Sequence, residues 1–127
     1  MKKTIFITLG IVALVGALIV FIPTSASGLL NSSDFISKYK STPGAVLVDV
    51  RTPAEFGTGH IQGAINVDYE NSNFGSEVKK LDASKTYFVY CRSGNRSSKS
   101  MVIMKDSGIK NIYDLQGGIS NAPELLK

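Results

Sequence analysis

The sequence predicts an α/β fold with a mostly parallel sheet and helices on both faces, and three observations carry that prediction. Short apolar runs alternate with amphipathic stretches through residues 28–127, the order that βαβ units produce. The runs Ala45-Val46-Leu47-Val48-Asp49-Val50 and Thr86-Tyr87-Phe88-Val89-Tyr90 are almost continuously apolar, as strands covered on both faces must be. The second run breaks off into Cys91-Arg92-Ser93-Gly94-Asn95-Arg96-Ser97 and then a helical pattern, a strand-turn-helix passage that fits a right-handed crossover.

The elements follow in order. Ser32-Ser33-Asp34 offers an N-cap to a helix carrying Phe35, Ile36 and Tyr39 on one side, and Ser41-Thr42-Pro43-Gly44 ends it. A strand is expected over 45–50, then a short helix opened by Pro53 and interrupted by Gly57 and Gly59, then a short strand at 64–67. Phe74, Val78 and Leu81 share helical spacing within 73–81, and Asp82-Ala83-Ser84-Lys85 turns into the strand at 86–90. A helix over 97–107 is expected to carry Met101, Val102 and Met104 inward, with Gly108 at its C′ position. The last strand is 111–115, before Gly117-Gly118. No repeat or linker divides the chain, so one core is expected.

Residues 1–27 read as an export segment. Lys2 and Lys3 precede an apolar run from Ile5 to Ile22, and Pro23-Thr24-Ser25-Ala26-Ser27 follows. The small residues suit cleavage after Ser27, whereas the 18-residue run suits a membrane anchor with the lysines inside. Either way residues 28–127 lie beyond the cytoplasmic membrane, periplasmic, extracellular or held at its outer face. No cysteine stands directly after the run, which excludes a lipoprotein anchor. Of the net charge of +4, the part after residue 27 keeps +2, from 12 basic and 10 acidic side chains. That is too little for a nucleic-acid footprint.

The local chemistry is concentrated at 91–97. Cys91 is the single cysteine, so in an oxidising compartment it is either an inert buried thiol or an employed one. Its place beyond a strand's carboxyl end, at the start of a helix, is where α/β sheets bind anions. Backbone N–H groups and the Arg92 and Arg96 guanidinium groups favour a thiolate there without a partner base. Gly94 permits a tight curl, and Asn95 tolerates left-handed geometry. Arg92, Arg96 and Lys99 together suit a small anionic substrate.

At this point the chain resembles the rhodanese family of sulfurtransferases, over about residues 28–119. Cys91 to Ser97 is similar to the active-site loop of single-domain bacterial rhodaneses. Asp49-Val50-Arg51, Pro53-Ala54-Glu55-Phe56, Gly59-His60-Ile61-Gln62-Gly63-Ala64-Ile65-Asn66-Val67 and Ile112-Tyr113-Asp114-Leu115-Gln116-Gly117-Gly118-Ile119 resemble the other blocks in order. The resemblance implies a five-stranded sheet and a Cys91 persulfide formed from a donor such as thiosulfate and discharged to a thiol or cyanide. It implies no cofactor. A persulfide carrier serving a protein acceptor requires the same pocket. Phosphatases and arsenate reductases of this fold place the Arg six positions after the Cys, and here Arg96 is five after Cys91, so that reading ranks below. Many relatives carry a Trp shortly after Gly-Gly where this chain has Asn121-Ala122, which implies a more open mouth.

Other residues read as structural. Asp49 and Arg51 are expected to form a buried pair, with loop support as a second role for both. His60, the single histidine, is expected to pack rather than react, and without Cys, Asp or Glu at ligand spacing it makes no metal site. Tyr87 and Tyr90 are expected in strand packing.

Overall fold

The computed structural model describes residues 26–127. Strands β1 (Ser27–Leu30), β2 (Val46–Asp49), β3 (Ile65–Asn66), β4 (Thr86–Tyr90) and β5 (Asn111–Leu115) form one sheet in the order β1-β5-β4-β2-β3. Every pairing is parallel. The intervening helices are α1 (Ser32–Ser41), α2 (Pro53–Thr58), α3 (Phe74–Lys79) and α4 (Asn95–Asp106), and two 3₁₀ turns, Ile119–Asn121 and Pro123–Leu125, close the chain.

The apolar strands β2 and β4 lie next to each other inside the sheet, and residue alternation splits their side chains between two cores. Val48, Tyr87, Val89 and Ile112 pack with Phe74 and Val78 of α3 and Met104 of α4. Leu47, Phe88, Tyr90 and Leu115 pack on the opposite face with Phe35 of α1. Phe88 meets the edges of Phe35 and Tyr39 with centroids 5.5 and 5.6 Å apart, geometry that adds to the area buried. Helices on both faces and the parallel sheet are as the sequence predicts.

Four details differ. The strand β1 has no counterpart in the apolar runs, because it is an edge strand with half its residues exposed, Leu29 at 60%. The expected boundary at residue 28 falls inside it: Ala26 N–H donates to Asn111 Oδ1 at 2.9 Å, and Ile112 N–H donates to the Ala26 carbonyl at 3.1 Å. Helix α1 is capped by Asn31, whose side chain accepts from Asp34 N–H, rather than by the Ser32-Ser33-Asp34 group. Val102 faces solvent at 59% exposure, since Met101 and Met104, three apart, take the inward stripe and Val102 is rotated about 100° off it. Residues 1–25, including the apolar run, lie outside the described residues. Among the described residues no helix is long and apolar enough to cross a membrane.

Candidate active site

The strands all end at one rim of the sheet, and the 91–97 loop is the crossover from β4 to α4 there. Gly94 takes φ 98°, the left-handed conformation that lets the chain double back within four residues of the strand. Helix α4 therefore starts at Asn95, two residues before the sequence pattern suggests. The turn brings Gly94 N–H onto Cys91 Sγ at 3.0 Å. The Cys91 thiol also lies 3.4 Å from Ser97 Oγ, which in turn donates to the Gly94 carbonyl at 3.2 Å.

Cys91 is only 1% exposed and its inner side touches the Val89 and Met104 core, so the sulfur sits at the floor of the loop. Ser97 is fully buried, whereas Ser93, Asn95 and Arg92 are exposed. One amide, Gly94, hydrogen bonds the sulfur, so the expected ring of donors is in this state a single N–H, and Ser97 Oγ accepts from the thiol.

The outer wall of the loop is built by the turn after β5. Ile119 N–H donates to the Cys91 carbonyl at 2.9 Å; Ser120 donates to the Arg92 carbonyl through N–H at 2.9 Å and Oγ at 2.6 Å. Gly118, at φ 61°, lies so close that a Cβ would stand 2.5 Å from Arg92 C and O and 2.7 Å from the Cys91 carbonyl oxygen. Glycine at 118 is therefore required by contact as well as by backbone conformation.

Arg96 does not point at Cys91. Its Nη1 and Nη2 donate to Glu55 Oε1 and Oε2 at 2.7 and 2.9 Å, a bidentate pair across the mouth. Glu55 also completes the capping box of α2, with Thr52 Oγ1 accepting from Glu55 N–H at 3.3 Å. The hydrogen bond from Arg96, ahead of all other causes, lowers the Glu55 carboxyl to about 2 against the opposing effect of burial. Glu55 was legible only as a helix-start residue. The signal for more was the Thr52-x-x-Glu55 capping pattern beside a rim that also carries an arginine.

Asp49 and Arg51 form the buried pair expected of them: Arg51 Nε lies 3.0 Å from both carboxylate oxygens and Nη2 lies 2.7 Å from Oδ2, and Nη2 also reaches the Gly59 carbonyl at 2.7 Å. Neither hydrogen bonds residues 91–97 among the described residues; the Arg51 guanidinium carbon lies 5.8 Å from the Tyr90 ring, and Arg51 lines one depression with Glu55 and Arg92. Tyr90 itself is buried and accepts Ile61 N–H on its hydroxyl at 3.0 Å. His60 stacks on Phe56 at 3.7 Å, and its Nδ1 lies 2.9 Å from the Phe56 carbonyl.

One further buried group adjoins the site. Asp114 on β5 is 2% exposed with Oδ1 unpartnered. Burial raises its carboxyl to about 6, and a hydrogen bond with Ser97 pulls the other way. A shallow open depression beside the loop is lined by Arg51, Glu55, Arg92, Ile119, Ser120 and Pro123 among others. A second groove, between α1 and the C-terminal turn, is lined by Ile36, Tyr39, Lys40, Ile61, Glu124 and Lys127 among others and does not include Cys91.

With this geometry established, comparison with known proteins is direct. The family model for the rhodanese-like domain matches residues 32–122. A thiosulfate sulfurtransferase, GlpE, of Pseudomonas entomophila is 33% identical over 75 residues, covering 59% of this chain and 67% of that protein. A probable adenylyltransferase/sulfurtransferase, MoeZ, of Mycobacterium tuberculosis is 37% identical over 73 residues; the match covers 58% of this chain but only 19% of MoeZ. Among solved structures, a rhodanese-related protein from Thermoplasma volcanium superposes with a TM-score of 0.65 at 32% identity, over 75% of this chain and 89% of that one.

Proposed function

Since the chain belongs to the rhodanese-like domain family, we propose that it is a sulfurtransferase moving a sulfane sulfur from a small anionic donor such as thiosulfate to a thiol or cyanide. The observation that carries the reading is the Gly94 N–H held 3.0 Å from Cys91 Sγ at the strand-to-helix turn. In the first transfer Cys91 as thiolate attacks the outer sulfur of thiosulfate. The new S–S bond forms as the bond to the sulfonate breaks, and sulfite leaves with the electron pair. In the second, an acceptor nucleophile attacks the outer sulfur of the persulfide, and the pair of the S–S bond returns to Cys91. Two transfers through one covalent intermediate give ping-pong kinetics.

Arg92 and Lys99 are exposed and attract the anion to the mouth. Arg96 acts as an organiser of the loop, because Glu55 occupies its guanidinium fork. That same engagement argues against a phosphatase or arsenate reductase, which needs the fork turned inward on an oxyanion. A protein-bound acceptor is favoured over a buried small one by the openness of the depression lined by Glu55, Arg92, Ser120 and Pro123.

The apolar run behind Lys2 and Lys3 supports export across the cytoplasmic membrane, and the bonds of Ala26 to β5 support a retained segment. Cleavage after Ser27 would cut inside β1 and remove those bonds.

Incubation with thiosulfate is expected to add one sulfur atom to Cys91, read by intact mass, and Cys91→Ser is expected to take up none while keeping its thermal midpoint. An accessible thiol that gains no sulfur would overturn the proposal. Faster discharge to protein thiols than to cyanide would identify a dedicated carrier.

A further inference from the structure

We propose that the rim of the sheet where the strands begin rests on a bilayer surface carrying anionic phospholipid, so that Cys91 opens toward the aqueous side. This rests on the reading that residues 1–25 hold the chain in a membrane. Of the nine lysines among the described residues, six lie toward this end: Lys40, Lys79, Lys80, Lys85, Lys105 and Lys110, all exposed, whereas Lys38 lies over the Tyr113 ring at 5.0 Å. Three carboxylates, Glu77, Asp82 and Asp106, stand among them, and Glu77 is already paired with Lys80 at 2.9 Å. Glu124 and Lys127 line a groove with Lys40, and the rest of the domain carries six acidic and five basic side chains. The net positive charge of the domain is therefore concentrated at the end away from Cys91.

Helix dipoles account for part of this, because cations suit the C-terminal ends of α1, α3 and α4. They do not account for Lys85 and Lys110, which lie in loops one residue ahead of β4 and β5. The pairing of Thr86 with Asn111 sets those two lysines side by side. Ser27, at the start of β1, lines one depression with Lys105 and Lys110. The point where the chain arrives from its apolar run is thus inside the basic patch.

Chain length makes that coincidence consequential. Ile22 to Ala26 is four residue steps, which span at most about 14 Å even when extended. A membrane-held run ending at Ile22 leaves the entry rim no freedom to leave the lipid surface. From Lys85 to Cys91 the strand rises about 20 Å, so the mouth stands clear of the headgroups and takes its sulfur acceptor from the water phase. Juxtamembrane lysines near anionic headgroups are each attracted by the surface potential.

The full chain in nanodiscs of phosphatidylcholine, with or without phosphatidylglycerol, tests the orientation through lysine acylation read peptide by peptide. Lys85, Lys105 and Lys110 are expected to label about fivefold more slowly in the anionic discs, with the effect removed by high salt, while Lys99 beside the mouth is unchanged. The double variant Lys105→Glu/Lys110→Glu, at two exposed positions, is expected to lose the protection of Lys85. Equal labelling in both discs, or equal slowing at Lys99, overturns the orientation. A chain that elutes free of the discs overturns the membrane reading and the orientation with it. Sulfur uptake by Cys91 in the same samples reports the sulfurtransferase reading separately.

Discussion

Arg96 of α4 and Glu55 of α2 are joined by two hydrogen bonds of 2.7 and 2.9 Å, which tie the active loop to a helix 41 positions earlier in the chain. The pair is partly covered, with side chains 20% and 29% exposed, so it is worth more than a surface ion pair. Glu55→Gln is expected to lose about 1–2 kcal/mol of stability near neutral pH, after allowance for solvent screening. Sulfur uptake by Cys91 should slow by about tenfold as the loop loses its outer tie. Because the folded carboxyl is depressed to about 2, this stabilisation is present above the ordinary Glu range and is lost as pH falls toward 2. Urea denaturation of wild type and variant at pH 7 and pH 2.5 checks the sign: the difference should shrink in acid.

Gly118→Ala tests the contact that walls the loop. The added Cβ meets backbone atoms of Cys91 and Arg92 at 2.5–2.7 Å, and neither can rotate away as a side chain would. The residue is also at φ 61°, so strain and clash act together. A loss of about 3 kcal/mol or more is expected, read as a fall in thermal midpoint. Gly28→Ala, where nothing lies within 4 Å, is the matched control and should leave the midpoint within a few degrees.

Much of this was legible in sequence, for definite reasons. Strands β2 and β4 announce themselves because both faces are buried, leaving continuous apolar runs, and Cys91 to Ser97 is contiguous, so its turn and helix start are local events. The strand β1 was hidden because an edge strand with an exposed Leu29 carries no burial pattern. Glu55, Gly118 and Asp114 were hidden as parts of the site because their partners are 41, 26 and 17 positions away along the chain, and only the parallel sheet brings them together. Arg96 was legible as a residue of the active loop, for substrate or for loop geometry, but its pairing with Glu55 was not.

Tyr90 closes a different gap. Its hydroxyl accepts Ile61 N–H at 3.0 Å in a region where both residues are buried. Tyr90→Phe keeps the ring and its packing yet strands a buried backbone donor. The expected cost is about 1–3 kcal/mol, visible in urea denaturation, with Cys91 sulfur uptake unchanged at temperatures where the variant is folded. A drop in uptake without a drop in stability would show that Tyr90 acts on the loop directly.

Asp114 gives the opposite pH signature from Glu55. Its carboxyl is raised to about 6 by burial, so the folded state binds a proton more tightly than the unfolded chain does. The favourable contribution is complete below the ordinary Asp range near 4 and is lost as pH rises through about 6. Above that, the fold carries an ionised, 2% exposed side chain with one oxygen unpartnered. Asp114→Asn removes the charge at nearly constant shape. It is expected to be more stable than wild type at pH 7.5, by up to about 2–3 kcal/mol, and close to wild type at pH 4. Urea denaturation across pH 4–8 should show a wild-type decline between 4 and 6 that the variant lacks. Should the variant instead be weaker at pH 7.5 than at pH 4 relative to wild type, Asp114 is ionised and held by a partner, and its hydrogen bond with Ser97 is the place to look.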